Sequence, residues 1–521
     1  MLTTKRIGPV ITDNPKGLVL TLNLTQPFSL SQNLTQLFNT LPKASTSAST
    51  PNYVDGDLLG NDAQFFTYGG LTTKSDAFPD PDADDVLEYQ AYPYNSNDAP
   101  SFTAGFINEK LPDDVTRYLA YGAGVSAPSE NKAWYFSGLR SPSSGVIYGS
   151  FSIEAAVPSN ISDTLVTLTF DHQAQNIEKW ENTTLPDSVA GRASASGVFV
   201  PVGKNGILVF VGGVTFPEFA SRRHKSENPA ALTSESQAFI KTIDIYDIGS
   251  NKWYKQETSS SQIPPVTAQG CAVVQKAKDL SSFNIYYYGG YTAEDQVNNF
   301  SDDVWILSLP SFKWIKAKAG TEAHARAGHR CVAPYPDQMM VFGGFTPKPG
   351  TARDCLQGGV IQLFNLTSLE WLDSYSPATF GEYGVPEVVQ KEIGGNFQGG
   401  ATAKSPAASG GWGDEGLKSL FETAYPTERI KTWYPYALVE PSSRPGVGIG
   451  DGSGGGKRGG GLPGWVAPTL GAVLGLIAVV VVAIGIIIWR RRKILRAGSR
   501  SGSVVGSGKK WYGFEKYRRP S

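Results

Sequence analysis

Apolar residues in this chain recur in short runs that stop at glycine, and the most complete unit lies between Phe283 and Trp314. Ile285-Tyr286-Tyr287-Tyr288 ends at Gly289-Gly290; a polar loop follows, and Asp303 to Leu309 then alternates before a turn at Pro310-Ser311 and the close Phe312-Lys313-Trp314. A short apolar run bounded by glycine predicts a buried strand, and alternation predicts a half-buried one. Tandem glycines suit a point where the backbone leaves a buried strand through angles that a side chain forbids. A closing Trp is large enough to fill the gap between two packed sheets.

The same order recurs on both sides. Phe65-Phe66-Thr67-Tyr68-Gly69-Gly70 leads to Val86-Leu87-Glu88-Tyr89, and Trp134-Tyr135-Phe136-Ser137-Gly138, with one glycine replaced, leads to Leu165 to Phe170 and Lys179-Trp180. Ile207 to Gly213 leads to Ile243 to Tyr246 and Lys252-Trp253, and Met340-Val341-Phe342-Gly343-Gly344 leads to Ile361 to Phe364 and Glu370-Trp371. A further strand precedes each glycine pair, most plainly from Arg326 to Val332. Four strands in a period of roughly 50 to 75 residues predict blades that cannot bury their faces alone and pack in a ring, an all-β propeller.

These units resemble the kelch repeat from Leu58 to Trp371, on the glycine pairs Gly69-Gly70, Gly212-Gly213, Gly289-Gly290 and Gly343-Gly344, their neighbouring aromatics, the closing Trp residues and the Arg326 to His329 stretch. Taken whole, the chain resembles the membrane-anchored kelch proteins of filamentous fungi. The resemblance implies a kelch-type propeller and names no ligand.

Leu18 to Leu24 reads as the third strand of a blade with no glycine-pair strand before it, so six blades are expected, the first incomplete. Met1 to Pro15 lacks the apolar core of a signal peptide. With a late membrane span, this leads to the expectation of an upstream coding segment holding a signal and the missing strand. Residues 1–371 are read as the propeller ectodomain and 372–440 as a C-terminal segment packed on it, with a short helix from Pro386 to Ile393 closed by Gly394. Residues 441–464, rich in Gly, form a flexible linker. Residues 465–489 form one transmembrane helix: about 25 helical residues reach roughly 37 Å, with Trp465 and Trp489 at the two interfaces. The basic tail 490–521, opening on Arg490-Arg491-Arg492-Lys493, is cytoplasmic by the positive-inside rule, which puts the propeller outside a plasma or other secretory-pathway membrane. Its Ser499, Ser501, Ser503 and Ser507 lie among bases that anionic lipid would attract, a candidate phosphorylation switch.

Composition adds constraints more than chemistry. The 521 residues carry a net charge of -1, which gives no hint of a nucleic-acid partner. Three cysteines are too few for a disulfide scaffold. In an oxidising compartment a bridge from Cys331 to Cys355 is expected, with Cys271 to Cys331 as the rival. Sequons at Asn23, Asn33, Asn160, Asn182, Asn299 and Asn365 point to a glycosylated surface, or else to polar turns. Asp80, Asp82 and Asp84 could offer oxygens to Ca²⁺ or form a solvated acidic loop, and no other metal and no cofactor is expected. Arg222-Arg223-His224-Lys225 could anchor an acidic glycan or a protein carboxylate, or be a solvated loop. No nucleophile-elbow motif and no P-loop occurs, and none of His172, His224, His324 and His329 directly follows a Tyr, as the copper site of galactose-oxidase-type propellers requires. The reading is therefore a single-pass membrane protein whose propeller binds an extracellular glycan or protein, with the bilayer contacted through residues 465–489; a tethered copper oxidoreductase is the alternative.

Overall fold

The computed structural model describes residues 2–3, 19–41, 53–72, 80–90, 107–149, 156–170, 178–215, 228–291, 300–346, 359–408 and 410–436. Of the two units into which the chain divides, Met1–Glu440 carries every described element and Pro441–Ser521 lies outside the described residues. The expected linker, the span 465–489 and the basic tail therefore lie outside them. Among the described residues no helix is long and apolar enough to cross a membrane.

Five four-stranded antiparallel sheets follow one another, each with its strands in chain order. Blade I is Asp57–Gly60, Gln64–Tyr68, Asp85–Gln90 and Ile107–Lys110. Blade II is Ala123–Ala127, Lys132–Phe136, Thr164–Thr169 and Lys179–Thr184. Blade III is Ser196–Val200, Ile207–Val211, Thr242–Asp247 and Lys252–Glu257. Blade IV is Cys271–Lys276, Phe283–Tyr288, Val304–Leu309 and Lys313–Lys318. Blade V is Ala327–Tyr335, Gln338–Phe345, Ile361–Asn365 and Glu370–Leu372. The first strands of successive blades are neighbours, so they form the inner wall of the ring.

The expected count of six blades is corrected to five among the described residues. The N-terminal stretch forms a three-stranded sheet instead, with Val19–Leu22 between Leu2–Thr3 and Phe38–Leu41. Its Val19 packs with Phe65 and Tyr89 of blade I, while Leu22, Phe28 and Leu34 pack with Met340, Phe342 and Leu363 of blade V. The sheet thus touches both ends of the series without a fourth strand of its own.

All eight pair glycines have positive φ, from 62° at Gly343 to 102° at Gly70. Ser137, at the replaced position, also adopts φ 51°, and its hydroxyl donates to Ser162 O at 2.5 Å and accepts from the Arg192 N–H at 2.8 Å. Those two bonds support a conformation that otherwise favours glycine. At Gly289 a Cβ would stand 2.4 Å from His329 Cε1 and 3.0 Å from Arg326 O. Gly289→Ala is therefore expected to lower stability by about 2 kcal/mol from the left-handed backbone together with the clash; a denaturant midpoint equal to the parent's would contradict this.

Each closing Trp packs toward the preceding blade. The rings of Trp180 and Phe66 lie 5.4 Å apart, those of Trp253 and Phe136 5.8 Å, and those of Trp371 and Tyr288 5.3 Å. Trp314 joins the core of blade III and donates Nε1–H to Ile240 O at 3.0 Å. Large aromatic area is buried where two twisted sheets diverge, which is why the Trp recurs at the outer strand.

After blade V, Ser374–Tyr375 pairs with Phe28–Ser29, and the chain then travels around one face of the ring. It touches the turn between first and second strands of every blade: Gly381 N–H to Asp337 in blade V (2.8 Å), Gly400 N–H to Asp279 in IV (2.6 Å), Thr423 O from Gly203 N–H in III (2.9 Å). It continues with Tyr425 O–H to Ser129 in II (2.8 Å) and Trp433 Nε1–H to Asp62 in I (2.8 Å), and returns to blade V at Tyr436 N–H to Tyr335 Oη (3.2 Å). Helix Glu387–Ile393 lies in this segment, begun at Pro386 and ended by Gly394 at φ 76°, as the sequence predicts. A second helix, Glu415–Glu422, is capped by Asp414, whose carboxylate accepts from Gly416 N–H at 2.6 Å.

Candidate functional site

Antiparallel strands send successive connections to opposite faces, so the belt on the first-to-second-strand turns leaves the loops that follow the glycine pairs on the other face. These loops differ in each blade. In blade III the loop includes helix Pro229–Lys241, N-capped by Asn228 Oδ1 accepting from Ala231 N–H at 3.1 Å. Arg222, Arg223, His224 and Lys225, in the same loop, lie outside the described residues.

In blade I the acidic stretch Asp80 to Asp85 is organised, but around a protein cation. Oxygens of Asp82, Asp84 and Asp85 converge within 4.8 Å of one another. The Lys110 ammonium ion-pairs with all three, at 3.8 Å to Asp82, 3.0 Å to Asp84 and in direct contact with Asp85. Hydrogen bonds to Asp85 and then Asp84 raise the Lys110 pKa. Asp80, the third expected Ca²⁺ ligand, instead accepts from Tyr148 Oη–H at 2.6 Å. The expected trio of Asp80, Asp82 and Asp84 is thus divided, and the cluster that does form includes Asp85 and already holds a positive charge.

Sequence reading missed the groups at the inner wall. The Asp57 carboxylate contacts the Arg330 guanidinium across 273 residues and accepts from Gly124 N–H at 3.0 Å, linking blades V, I and II. Lys276, at the end of the blade IV inner strand, has its pKa pushed down by burial. It also missed Arg192, fully buried after blade II. Arg192 donates to Gly212 O at 2.8 Å and to Asp244 Oδ2 at 2.6 Å, and its guanidinium lies 4.2 Å from the centre of the Phe239 ring. Arg326 is its counterpart and donates to Gly343 O at 3.1 Å. The available signal was register: each Arg sits just before an inner strand and binds the carbonyl of its own blade's first pair glycine.

The disulfide is corrected. Cys271 is bonded to Cys331, with Cα atoms 5.7 Å apart, and not Cys331 to Cys355, which lies outside the described residues. Inner strands of adjacent blades run side by side at the axis, which brings residues 60 positions apart within the Cα reach of a disulfide. A non-reducing peptide map is expected to recover Cys271 joined to Cys331; a Cys331 to Cys355 peptide would refute it.

His329 is buried beside Tyr288, its Nε2 3.3 Å from Tyr288 O. His324 stacks on Trp371 at 4.0 Å, and burial pushes its pKa down, which favours neutral imidazole. His172 and His224 lie outside the described residues. The two described histidines serve packing, and Cys271 and Cys331 are bonded to each other rather than to a Tyr. Among the sequons, Asn23, Asn33, Asn160 and Asn182 are exposed. Asn182 donates its amide to Asp114 O at 2.8 Å, and Asn365 caps the Thr367 and Ser368 N–H groups while its amide reaches Asp337 at 3.4 Å. Asn299 lies outside the described residues.

No family model matches the sequence. A kelch repeat-containing protein of Arthroderma benhamiae is 30% identical over 407 residues, which cover 69% of this chain and 56% of that protein. The chain thus spans about half the length of the curated relative it matches. The solved structure of YjhT aligns with 64% of this chain and 99% of its own at 14% identity and a TM-score of 0.31.

Proposed function

We propose that this chain, a kelch-repeat β-propeller, is a binding module that recognises an extracellular glycan or protein through the loops following its glycine pairs. One observation carries the reading: the C-terminal belt occupies the turns of all five blades on one face, so the variable loops of the opposite face remain for a partner. The described charged groups that are most buried, Arg192 with Asp244 and Arg326, are committed to backbone carbonyls and one ion pair, which is structural chemistry. In this reading residues 465–489 anchor the chain in a plasma or other secretory-pathway membrane, with the propeller outside and the C-terminus in the cytoplasm.

The test is an array of glycans and cell-surface proteins probed with the full-length chain. Retained binding that is lost when Arg222, Arg223, His224 and Lys225 are changed together to alanine supports recognition by the blade III loop. Stoichiometric copper with peroxide production from sugar alcohols would overturn the reading in favour of an oxidoreductase. Glycosidase treatment of protein from its native cells should lower its apparent mass through Asn23, Asn33, Asn160 or Asn182; no change would refute the secretory placement.

A further inference from the structure

The residue three before each pair's first glycine position begins a cross-strand row on one blade face. In blade III the row is Val209, Ile245 and Tyr254, in blade IV Tyr286, Ile306 and Ile315, and in blade V Met340, Leu363 and Leu372. All are apolar or aromatic and pack into cores. Blade I departs from this with Phe66, Glu88 and Ile107, and in blade II the same row reads Trp134, Thr167 and Glu181. Where the rows of blades III and IV pack apolar and aromatic side chains against the next blade, blade II presents a hydroxyl and a carboxylate to blade III. The blades part there, and the gap is a cleft of about 610 Å³, within the range of small-ligand sites.

The far wall is the Tyr246 and Trp253 pair of blade III. Trp253 is partly exposed yet held by Phe210 at 5.7 Å and Tyr246 at 5.1 Å, so its ring is pre-positioned. Tyr246 donates its hydroxyl to Asn251 Oδ1 at 2.7 Å, which uses that carbonyl and leaves the amide N–H donors. Burial first, then Asp247 and Glu181, push the Tyr246 pKa up to about 12, so it remains a donor. Thr183, on the same strand as Glu181, adds a hydroxyl. Most of the charges are already paired: Lys179 holds Glu181 Oε1 at 2.8 Å and Lys252 lies 3.4 Å from Asp414, while Lys132 also lines the cleft.

We infer that the cleft between blades II and III is a lateral binding site for a neutral sugar unit. A ring with a C–H face stacks on Trp253, a hydroxyl donates to Glu181 Oε2, Oε1 being paired with Lys179 at 2.8 Å, and Thr167, Thr183 and Asn251 complete the hydrogen bonding. A lining of hydroxyls, one amide, one carboxylate and two lysines around an aromatic plate, with Glu181 and Lys252 already paired, matches a polyol better than an ionic ligand, because a neutral ligand disturbs neither pair.

The site is separate from the loop face, so failure of one reading leaves the other standing. The full-length chain is titrated with glucose, mannose and N-acetylglucosamine oligosaccharides of one to four units, read by tryptophan fluorescence and calorimetry. Saturable binding to at least one probe is expected, weakened about tenfold by Glu181→Gln, which loses the charged acceptor. Thr183→Val and Trp253→Phe, which preserve strand and packing, are expected to weaken it several-fold, with melting temperatures unchanged for Glu181→Gln and Thr183→Val. The quadruple change at Arg222 to Lys225 leaves this binding intact. No saturation by any probe up to roughly 50 mM would overturn the inference. So would binding that Glu181→Gln and Thr183→Val leave unchanged, or binding of a charged peptide at the cleft in place of every sugar.

Discussion

Ending the chain at Tyr375 is expected to prevent the propeller from persisting as a folded protein, although every blade strand remains. The lost belt contains Tyr383, Val385, Val389, Ile393, Leu417 and Tyr425, all buried. They pack against cores of blades III, IV and V or against the turn of blade II. At about 1.5 to 3 kcal/mol for each of the six side chains, their burial amounts to about 9 to 18 kcal/mol against a fully extended chain, and on the order of 10 kcal/mol against a compact unfolded one. Net stabilities are typically about 5 to 15 kcal/mol, so the deletion removes most of the margin. Soluble yield and thermal melting of the truncated and full-length chains measure this, and a truncated chain melting within a few degrees of the parent would sink it. Leu417→Ala, a single cavity beneath blade III, is expected to lower stability by about 2 to 4 kcal/mol.

The second large effect is expected at Arg192. Its guanidinium and the Asp244 carboxylate are both fully buried, 2.6 Å apart, and Lys255 reaches the other carboxylate oxygen from the surface at 3.0 Å. Arg192→Leu strands the Asp244 charge with only that half-exposed partner and orphans the Gly212 carbonyl, and should lower stability by about 3 to 5 kcal/mol. Asp244→Asn leaves Arg192 its carbonyl acceptors and should do less damage. The double change Arg192→Leu with Asp244→Leu should recover part of the loss, because no buried charge then lacks a counter-ion. Denaturant unfolding of the parent, Arg192→Leu, Asp244→Leu and the double variant forms the cycle, with Asp244→Asn as a fifth protein; a double variant no more stable than Arg192→Leu would show that the pair is not what holds this point.

How much of this was readable in the chain depends on the range of the interaction. Strands within a blade pair with their sequence neighbours, so period, glycine and closing Trp were enough to place Ile285 to Tyr288 or Val304 to Leu309. The conformation at Ser137 follows from its place in the repeat. Val19–Leu22 was readable as a strand, but its sheet was not, because its partners are Leu2–Thr3 and Phe38–Leu41 rather than the strands of a standard unit. Thr167 and Glu181 look like ordinary surface residues in the sequence; they become informative only when register aligns them with Ile245 and Tyr254 of the next blade.

The sequence by itself determined an all-β ring of kelch repeats, the backbone conformation at the glycine pairs, the short helix after Pro386 and a net charge near zero. These follow from local sterics and from a periodicity that each unit repeats. The tertiary structure alone decided the blade count, the Cys271 to Cys331 bond, the Asp57 to Arg330 contact and the course of the belt. Each of these joins residues of different blades or of the two ends of the described chain. Which partners meet there is set by how twisted sheets close around an axis, and that closure is a property of the whole ring, which no single repeat encodes.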